Sequence, residues 1–296
     1  MHPGVLAFWR DSEPPSPASP AWEEQKRQVY ASVLDGAWWG TITSESGSGG
    51  DVGRTRAVAR RDGAKYRITG EKHFGSGSGA TSFMLTTAVP EGEDLPAWFF
   101  FDVRGVPWDG STGMTLRGAW DGHGMTATNS HAFVFRDFPA TRLEWPGSWR
   151  DVLGGGGTIV MFYTAVVVGI VDAAMDYVRH QVLAPGKAAQ AGAFEKVEWV
   201  MAEREAWLVR QAYDGALRAL EQHGRAREDT ALAKANIAAL AESVLTRLCR
   251  IAGGGSFARR SPLGFWFEDV RALGFLRPPW SLAVDGLFDM SVAPRP

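Results

Sequence analysis

The chain has 296 residues, of which 45% are hydrophobic and 22% charged, so it is long enough to bury one large core or two smaller ones. Its 31 Lys and Arg residues nearly balance 33 Asp and Glu residues, and this charge does not favour nucleic acid or an anionic membrane as a partner. A single cysteine, Cys249, excludes an internal disulfide framework and fits a reducing compartment.

The amino-terminal residues 1–10 lack the basic stretch and long apolar core of a secretory signal. The longest apolar run, 159–171, is too short to cross a bilayer and is typical of a buried helix. We therefore expect a soluble, cytoplasmic protein. The six histidines do not have the spacing of metal ligands, so no metal site is predicted.

The first half of the chain changes from an arm to a β-rich region. Residues 11–20 hold four prolines and predict an extended arm, and residues 21–34 predict a helix. Two strand patterns then flank Asp62 and Gly63, a pair that supplies the backbone angles of a tight hairpin turn. Glycines and prolines between the strand patterns predict a compact β-barrel or sandwich. The predicted strands are 55–61, 64–69, 83–89, 97–103 and 131–135.

The second half is helical in pattern. The glycines of 154–157 predict a hinge, and apolar residues at spacings of three and four then predict long helices up to residue 252. The helix over 159–177 is apolar almost all round, so we expect it in the middle of a bundle. Three glycines at 253–255 end the third long helix, and a shorter helix is predicted after Pro262.

These elements predict an α+β, multi-domain fold in which a central β-barrel or sandwich is followed by an up-down helical bundle. The predicted divisions are an arm with one helix over 1–37, a β-domain over 38–150 and a helical bundle over 151–296.

Four short motifs occur in an informative order. Residues 44–51 read Ser-Glu-Ser-Gly-Ser-Gly-Gly-Asp, and residues 70–76 read Gly-Glu-Lys-His-Phe-Gly-Ser. Residues 122–128 read Gly-His-Gly-Met-Thr-Ala-Thr, and residues 251–255 read Ile-Ala-Gly-Gly-Gly. In this order, on a β-domain followed by helices, they resemble the acyl-CoA dehydrogenase superfamily, whose helical bundle, β-barrel and second helical bundle follow one another. Only about 40 residues precede the β-domain, so just the last helix of the first bundle, 21–34, has a counterpart here.

The resemblance implies a flavin, FAD or FMN, and a set of residues around it. Strand-end groups of Thr43 and Ser44 would contact the pyrimidine edge of the flavin, Phe74 would line one face of its ring, and Ser76 would lie near N5. The glycines Gly253 and Gly254 would let the backbone approach the cofactor closely, in the family usually from a neighbouring subunit.

The chain also departs from the family pattern. The position of the catalytic glutamate of the dehydrogenases is Arg277, and a guanidinium stays protonated and cannot remove an α-proton. Gly50 stands where a serine contacts the acyl thioester, and residues 181–186 lack the arginine that reaches the flavin pyrophosphate. Arg250, where glutamine is usual, is the candidate replacement. No catalytic residue is assigned, and ordinary acyl-CoA dehydrogenation is not expected.

For several single residues, both a structural and a catalytic role are conceivable from the sequence. We interpret Glu45 and Asp51 as structural acceptors rather than acid–base catalysts. Strand alternation predicts that His73 points away from the face of Phe74, and His123 is typical of a solvated loop. Cys249 lies on an apolar helix, where packing is its expected role.

Two functions remain open at this point. The leading hypothesis is a flavin-dependent oxidoreductase of a small-molecule substrate, related to acyl-CoA dehydrogenases and to their relatives that use reduced flavin and oxygen as monooxygenases. The alternative is a flavin-free or flavin-poor paralogue that acts as a binding or assembly protein. By resemblance, the protein is expected to be a homodimer or homotetramer packed through its carboxy-terminal helices.

Overall fold

The computed structural model describes residues 2–11, 19–145, 157–184, 186–222 and 226–293. The chain divides into two compact units, one made of residues 1–121 and 126–155 and the other of residues 122–125 and 156–296. The predicted domain boundary between residues 150 and 151 lies outside the described residues, as do residues 154–156 of the predicted hinge.

The first unit begins with two helices, α1 (His2–Asp11) and α2 (Pro20–Leu34). The prediction of α2 is confirmed: Ser19 caps it by accepting a hydrogen bond from the Trp22 amide at 3.1 Å, and proline occupies its first position. Helix α1 was missed, and the predicted extended arm over 11–20 is wrong at both ends, because Asp11 ends α1 and Pro20 begins α2. Residues 12–18 lie outside the described residues.

Seven strands follow in the described part of this unit. They are β1 (Trp39–Thr41), β2 (Val58–Asp62), β3 (Lys65–Gly75), β4 (Phe83–Pro90), β5 (Ala97–Asp102), β6 (Met114–Gly118) and β7 (His131–Arg142). The predicted hairpin is confirmed, since β2 and β3 pair antiparallel across Asp62 and Gly63. Strands β3 and β7 run further than predicted. The extra residues of each strand pair with the predicted part of the other, so that the ladder runs from Tyr66 opposite Ala140 to Gly75 opposite His131.

The strands close on themselves as a barrel. Going around it, β4 pairs with β2, β2 with β3, β3 with β7, β7 with β5, and β5 again with β4. Of the two predicted alternatives, the barrel is therefore the correct one. Aromatic rings fill its interior: Phe99, Phe133 and Phe135 are completely buried and Phe138 almost so. A closed circuit of strands leaves few open edges and gives the ends of the strands fixed positions.

The second unit is a helical bundle, as predicted. Its helices are α3 (Thr158–Tyr177), α4 (Ala193–Glu221), α5 (Ala226–Ala252), α6 (Pro262–Arg271) and α7 (Trp280–Val292). Glycines end α5 where predicted, and Ser261 caps α6 by accepting a hydrogen bond from the Leu263 amide. Helix α7 was not predicted. The buried core joins residues such as Val171 of α3, Ala202 of α4 and Leu245 of α5.

Helix α3 differs from its prediction in burial and in length. Val167 and Val171 are buried against the bundle, but Phe162 and Val166 are exposed, so the expectation of burial on all sides was wrong. A π-helical turn, Val178–Val182, continues the helix to 25 residues, within which a stretch of 18 residues has a mean hydropathy of 2.0. By length and composition alone the continuous helix could cross a membrane, although the apolar run 159–171, on which the prediction was based, could not.

Gly92 and Gly113 both have left-handed backbone angles, but only Gly113 lies too close to other atoms for a side chain. At Gly113 (φ +90°) an added Cβ would lie 2.4 Å from the Arg136 carbonyl oxygen, whereas at Gly92 (φ +82°) it would meet nothing within 4 Å. We expect Gly92→Ala to lower the free energy of unfolding by about 1 kcal/mol, the cost of a left-handed alanine. Gly113→Ala should cost at least ~2 kcal/mol more, because the backbone must also shift. Urea unfolding checks both, and equal losses would contradict the clash.

Candidate functional site

Two backbone segments bring four of the predicted cofactor residues together in the β-unit. The segment that follows β1 runs antiparallel to the end of β3, with bridges between Thr41 and Ser76 and between Ser44 and His73. The His73 amide donates a hydrogen bond to the Ser44 carbonyl oxygen at 2.8 Å. This pairing places Thr43 and Ser44 beside Phe74 and Ser76, as the resemblance implied. Thr43, Ser44 and Ser76 are half-buried.

Phe74 occupies a bulge at the end of β3. Its φ of 58° is left-handed, which is costly for an aromatic residue, and the register with β7 shifts between Lys72 and Gly75. The side chain is 56% exposed and contacts the edge of Trp120, with ring centroids 5.9 Å apart. A large ring held outward in an unfavourable conformation is typical of a binding surface.

The bulge also corrects the prediction for His73. Alternation along a regular strand would turn His73 away from the side that Phe74 faces, but the left-handed Phe74 breaks this alternation. The His73 imidazole Nε2 lies 3.0 Å from the Glu71 carboxylate, two residues earlier on the same strand. Glu71 thus lies close to His73, although Nε2 makes no hydrogen bond within the described residues, and strand alternation no longer decides which way His73 faces.

A short chain of hydroxyl groups continues from Ser76. The Ser76 and Ser130 hydroxyl oxygens are 2.8 Å apart, and those of Ser130 and Thr128 are 2.7 Å apart. Ser130 is buried, so this chain is shielded from water at its centre. Sequence reasoning missed Ser130 and Trp120. Both lie just outside the 122–128 motif, and proximity to that motif is the only signal that could have indicated them.

A buried ion pair supports the segment that carries Ser44. The Lys72 ammonium, completely buried, lies 2.6 Å from the Glu45 carboxylate. That carboxylate also accepts hydrogen bonds from the backbone amides of Arg56 at 2.7 Å and Ala57 at 3.1 Å. Burial acts to raise the pKa of Glu45, but the hydrogen bond and charge of Lys72, with the two amides, outweigh it and lower the pKa.

The predictions for the two acidic residues of the first motif agree with their contacts. Glu45 is a structural acceptor with its oxygens fully used, although its partner Lys72 was not predicted. Asp51 accepts a hydrogen bond from the Gly53 amide at 2.8 Å and caps a short 3-10 turn. Both carboxylates are engaged by backbone amides, which is a structural role.

In the helical unit, the predicted glycines form an open turn at the end of α5. Gly253 has a left-handed φ of 63°, and Gly253, Gly254 and Gly255 are all exposed. A Cβ added to any of the three would meet no atom within 4 Å. Contacts inside this unit therefore do not require glycine at residues 254 and 255. Open backbone of this kind fits the close approach of a bound group, the role that the resemblance implied for Gly253 and Gly254.

Arg250 has a structural partner in the same unit. Its guanidinium lies 3.4 Å from the buried carboxylate of Glu198, which also binds Arg247 at 3.0 Å. Arg247 in turn binds Glu205, so the four residues link α4 to α5. The predicted role of Arg250 at a flavin phosphate stays a prediction, but its charge already offsets that of Glu198.

The segment around Arg277 is held by one buried and one partly buried side chain. The Lys234 ammonium, in a side chain only 3% exposed, donates hydrogen bonds to the carbonyl oxygens of Leu276, at 2.7 Å, and of Pro278. The Tyr163 hydroxyl donates to the intervening carbonyl of Arg277. Burial lowers the pKa of Lys234 to about 8. Three consecutive carbonyl groups, those of residues 276–278, are thus fixed. The side chain at the middle position, Arg277, ends in a guanidinium and not in a carboxylate.

Part of the 122–128 motif contacts helix α6 in the helical unit. The segment 122–125 clusters with this unit, where the Met125 amide donates a hydrogen bond to the Asp269 carboxylate at 2.5 Å. A Cβ on Gly124 would lie 2.5 Å from the Glu268 carbonyl oxygen, so this close contact with α6 requires glycine. His123, which precedes Gly124, is exposed, as expected for a loop residue.

Comparison with known proteins gives relatives of two kinds. No protein-family profile matches the chain. The chain is 24% identical over 291 residues to YdbM of Bacillus subtilis strain 168, which carries the provisional name acyl-CoA dehydrogenase; the match covers 89% of this chain and 71% of YdbM. It is 26% identical over 251 residues to the amino sugar nitrososynthase DnmZ of Streptomyces peucetius, covering 77% of this chain and 59% of DnmZ.

Solved structures decide the fold. Butyryl-CoA dehydrogenase of Megasphaera elsdenii superposes with a TM-score of 0.79 at 16% identity, covering 97% of this chain and 74% of that one. KijD3 in complex with FMN and dTDP-3-amino-2,3,6-trideoxy-4-keto-3-methyl-D-glucose superposes with a TM-score of 0.77 at 21% identity, covering 98% of this chain and 72% of that one. The chain has the acyl-CoA dehydrogenase-like fold. The predicted fold class and the resemblance drawn from the four motifs are confirmed.

Within this fold, the Glu45–Lys72 pair makes a pH-dependent contribution. We expect Glu45→Gln to lower the free energy of unfolding by about 3–5 kcal/mol at neutral pH, because Lys72 is left buried without a counter-charge. The lowered pKa of Glu45 means that its contribution is complete above the ordinary value of 4.5 and is lost as the pH falls through the folded value. The difference between wild type and variant should therefore shrink in acid.

Unfolding by urea at several pH values measures this difference. The matched control is Glu93→Gln, which removes a carboxylate from an exposed pair with Arg142. An exposed pair contributes at most about 1 kcal/mol. If the two variants lose the same free energy of unfolding, or if the loss for Glu45→Gln does not change with pH, the proposed contribution of the Glu45–Lys72 pair is wrong.

Proposed function

We propose that the protein is a flavin-dependent oxidoreductase of a small-molecule substrate, without ordinary acyl-CoA dehydrogenase activity. The observation that carries the proposal is Phe74, held outward in a left-handed bulge beside the hydroxyl chain of Ser76, on the acyl-CoA dehydrogenase-like fold. The two kinds of relative, a dehydrogenase and a nitrososynthase, support an enzyme of oxidation chemistry.

The residues of the β-unit fit the requirements of a flavin ring. An isoalloxazine needs an aromatic or apolar wall on one face and hydrogen-bond partners along its polar edge. Phe74 with Trp120 provides the wall, and the Ser76 hydroxyl, backed by Ser130, provides a polarised partner. Backbone groups of Thr43 and Ser44 lie on the adjoining segment. In the helical unit, the open backbone of Gly253 and Gly254 fits close contact with a cofactor.

When bound, the flavin would supply the oxidation–reduction chemistry, and this chain would supply orientation and charge. Arg277 argues against α-proton abstraction, because its guanidinium remains protonated at every physiological pH. A fixed positive charge is suited instead to binding an anionic or electron-rich group of the substrate. This favours a reaction of the monooxygenase type, with reduced flavin and oxygen, over the dehydrogenation of an acyl-CoA.

Two relatives suggest a substrate class. DnmZ is named for an amino sugar, and KijD3 was crystallised with a dTDP-linked amino sugar and FMN. We infer that a nucleotide-linked amino sugar is the first substrate to test here. The choice between FAD and FMN is left to the binding experiment, since KijD3 contains FMN and FAD is the expectation from the superfamily.

The exposed apolar residues of the helical unit support the proposed homodimer or homotetramer. Helix α4 presents Phe194, Val197, Val200 and Trp207 to solvent, each more than half exposed. Association through this face would remove their area from water, at about 25 cal/mol for each Å². A cytoplasmic location remains our proposal as well, from the cysteine content and the balanced charge.

Flavin binding tests the proposal directly. Purified protein titrated with FAD or FMN should quench flavin fluorescence and gain melting temperature. Phe74→Ala should weaken flavin binding about tenfold, since an aromatic contact contributes roughly 0.5–1.5 kcal/mol in addition to the area that it buries. The matched control is Phe275→Ala, a comparably exposed ring in the helical unit. If wild type leaves fluorescence and melting unchanged with both flavins, the enzyme proposal fails and the binding or assembly alternative is favoured.

Because Arg277 stands where the dehydrogenases are expected to have a catalytic carboxylate, we predict that an acyl-CoA does not reduce the bound flavin. Butyryl-CoA or a longer acyl-CoA, added anaerobically without a reductant, should leave the visible flavin spectrum oxidised, because the chain has no carboxylate at that position to take the α-proton. Dithionite should still bleach it, which controls for access to the flavin. Bleaching by the acyl-CoA alone would contradict the proposed loss of dehydrogenase activity.

A further inference from the structure

The outer side of the β2–β3 hairpin is unusually cationic. Residues 56–69 and 136–139, which span this hairpin and the part of β7 beside it, contain six Lys or Arg residues and two Asp residues, whereas the whole chain has a net charge of −2. Exposure alternates along these strands, so every second side chain faces out of the barrel. We call the five outward cations the cationic face: Arg56, Arg60, Lys65, Arg67 and Arg136.

Two of these cations lie directly opposite each other. Arg60 of β2 and Arg67 of β3 are partners in the strand register, a position in which like charges lower stability. Asp62 offsets part of this repulsion at 2.7 Å from Arg67, and Asp137 does so at 3.5 Å from Arg60. The hydrogen bond and charge of Arg67, with the charge of Arg60, lower the pKa of Asp62. The field at this face is therefore positive.

A bulge in β7 turns Arg136 toward the same side. The register of β3 and β7 shifts between Ile68 and Gly70, and Asp137 has a left-handed φ of 48° there. Arg136 and Asp137 are both exposed as a result, whereas a regular strand would turn one of them inward. Among the described residues, no ion pair or side-chain hydrogen bond involves Arg136 or Lys65. Their charges are therefore available to a partner.

Carboxylates at its borders limit the size of the cationic face. Glu71, further along β3, has Arg117 3.7 Å away, and the Glu91 amide, beside β2, donates a hydrogen bond to the Ala59 carbonyl oxygen. Between these borders, strand dimensions give an area of about 20 Å by 10 Å. A contact of this size is typical of a weak, transient complex and not of an obligate interface.

The mixture of charges favours a protein as the partner. Binding of nucleic acid gains from each neutralised phosphate and from rings that stack on bases, whereas Asp62 and Asp137 lie among these cations and would repel phosphates. In residues 56–69 and 136–139 no aromatic side chain is exposed, and the largest exposed apolar side chain is Val58, at 50%. A membrane surface requires a larger apolar anchor. Protein interfaces match charges of both signs around a small apolar contact.

We propose that the cationic face binds an acidic surface of another protein in a weak, transient complex. Carboxylates of the partner would pair with Lys65 and Arg136, and would also lie over Arg60 and Arg67, whose mutual repulsion they would relieve. This inference goes beyond the proposed function, because none of these residues belongs to the candidate flavin site. Its test is therefore independent of whether the protein binds a flavin.

Binding of a defined acidic peptide tests the proposal. The probe is a fluorescent synthetic helical peptide that is rich in glutamate and contains a few lysines, and the variant carries Arg60→Gln, Lys65→Gln and Arg136→Gln. We expect wild type to bind the peptide at low ionic strength and the triple variant to lose about tenfold in affinity, since it removes three sites for ion pairs. Binding should weaken as salt is added. A peptide with its lysines and glutamates exchanged should not bind.

The matched control makes the same change in net charge in the helical unit. It carries Lys187→Gln, Arg218→Gln and Arg227→Gln, which neutralise three exposed cations, and it should keep the affinity of wild type. All substituted side chains of both variants are at least partly exposed, so melting temperatures should stay close to that of wild type and verify folding.

Several results would overturn the proposal. These are no binding of the acidic peptide by wild type, equal affinity of wild type and the first triple variant, or equal losses in the two triple variants. Duplex DNA and vesicles of phosphatidylglycerol with phosphatidylcholine serve as further probes. If either binds more tightly than the peptide, and the first triple variant loses that binding, the partner is of that class and not an acidic protein.

Discussion

The candidate site of the β-unit depends on the buried ion pair between Glu45 and Lys72. Glu45 directly follows Ser44, and Lys72 lies two residues before Phe74, so a single contact of 2.6 Å ties together the two segments that carry the site. Removing both charges from water is costly. Two backbone amides and the Thr87 hydroxyl supply further hydrogen bonds that offset this cost. The main effect of the pair is therefore to fix the Ser44 and Phe74 segments relative to each other, and its net contribution to stability is small.

With Lys72 fixed, the strain at Phe74 has a physical explanation. A left-handed phenylalanine costs about 1–3 kcal/mol and persists only where its surroundings determine it from both sides. Here Lys72 holds the residues before the bulge, and the bridge between Ser76 and Thr41, with the Ser76–Ser130 contact, holds those after it. The strand cannot relax by slipping one residue, because Lys72 would then leave its buried carboxylate. Strain is thus confined to the residue that faces outward.

Sequence patterns predicted the parts of this molecule that depend on local preference. The hairpin at Asp62 and Gly63 follows from turn chemistry, and the end of α5 follows from consecutive glycines. The bulge at Phe74 could not be predicted, because it is fixed by contacts with segments distant in sequence. The same holds for Trp120 and Ser130, and for the exposed side of α3, where periodicity shows an apolar helix but not how many neighbours cover it.

In the helical unit, the backbone around Arg277 is held by contacts that do not involve the side chain at that position. Lys234 and Tyr163 hold three consecutive carbonyl groups around Arg277, and these contacts use only main-chain oxygens of the held segment. Such contacts do not depend on the identity of the side chain at residue 277. The position therefore stays well defined whichever side chain it carries. The resemblance implies a carboxylate there as proton acceptor in the dehydrogenases, whereas the guanidinium of this chain is a fixed cation. Sequence motifs can thus identify the fold, whereas the reaction has to be inferred from the side chains at the site.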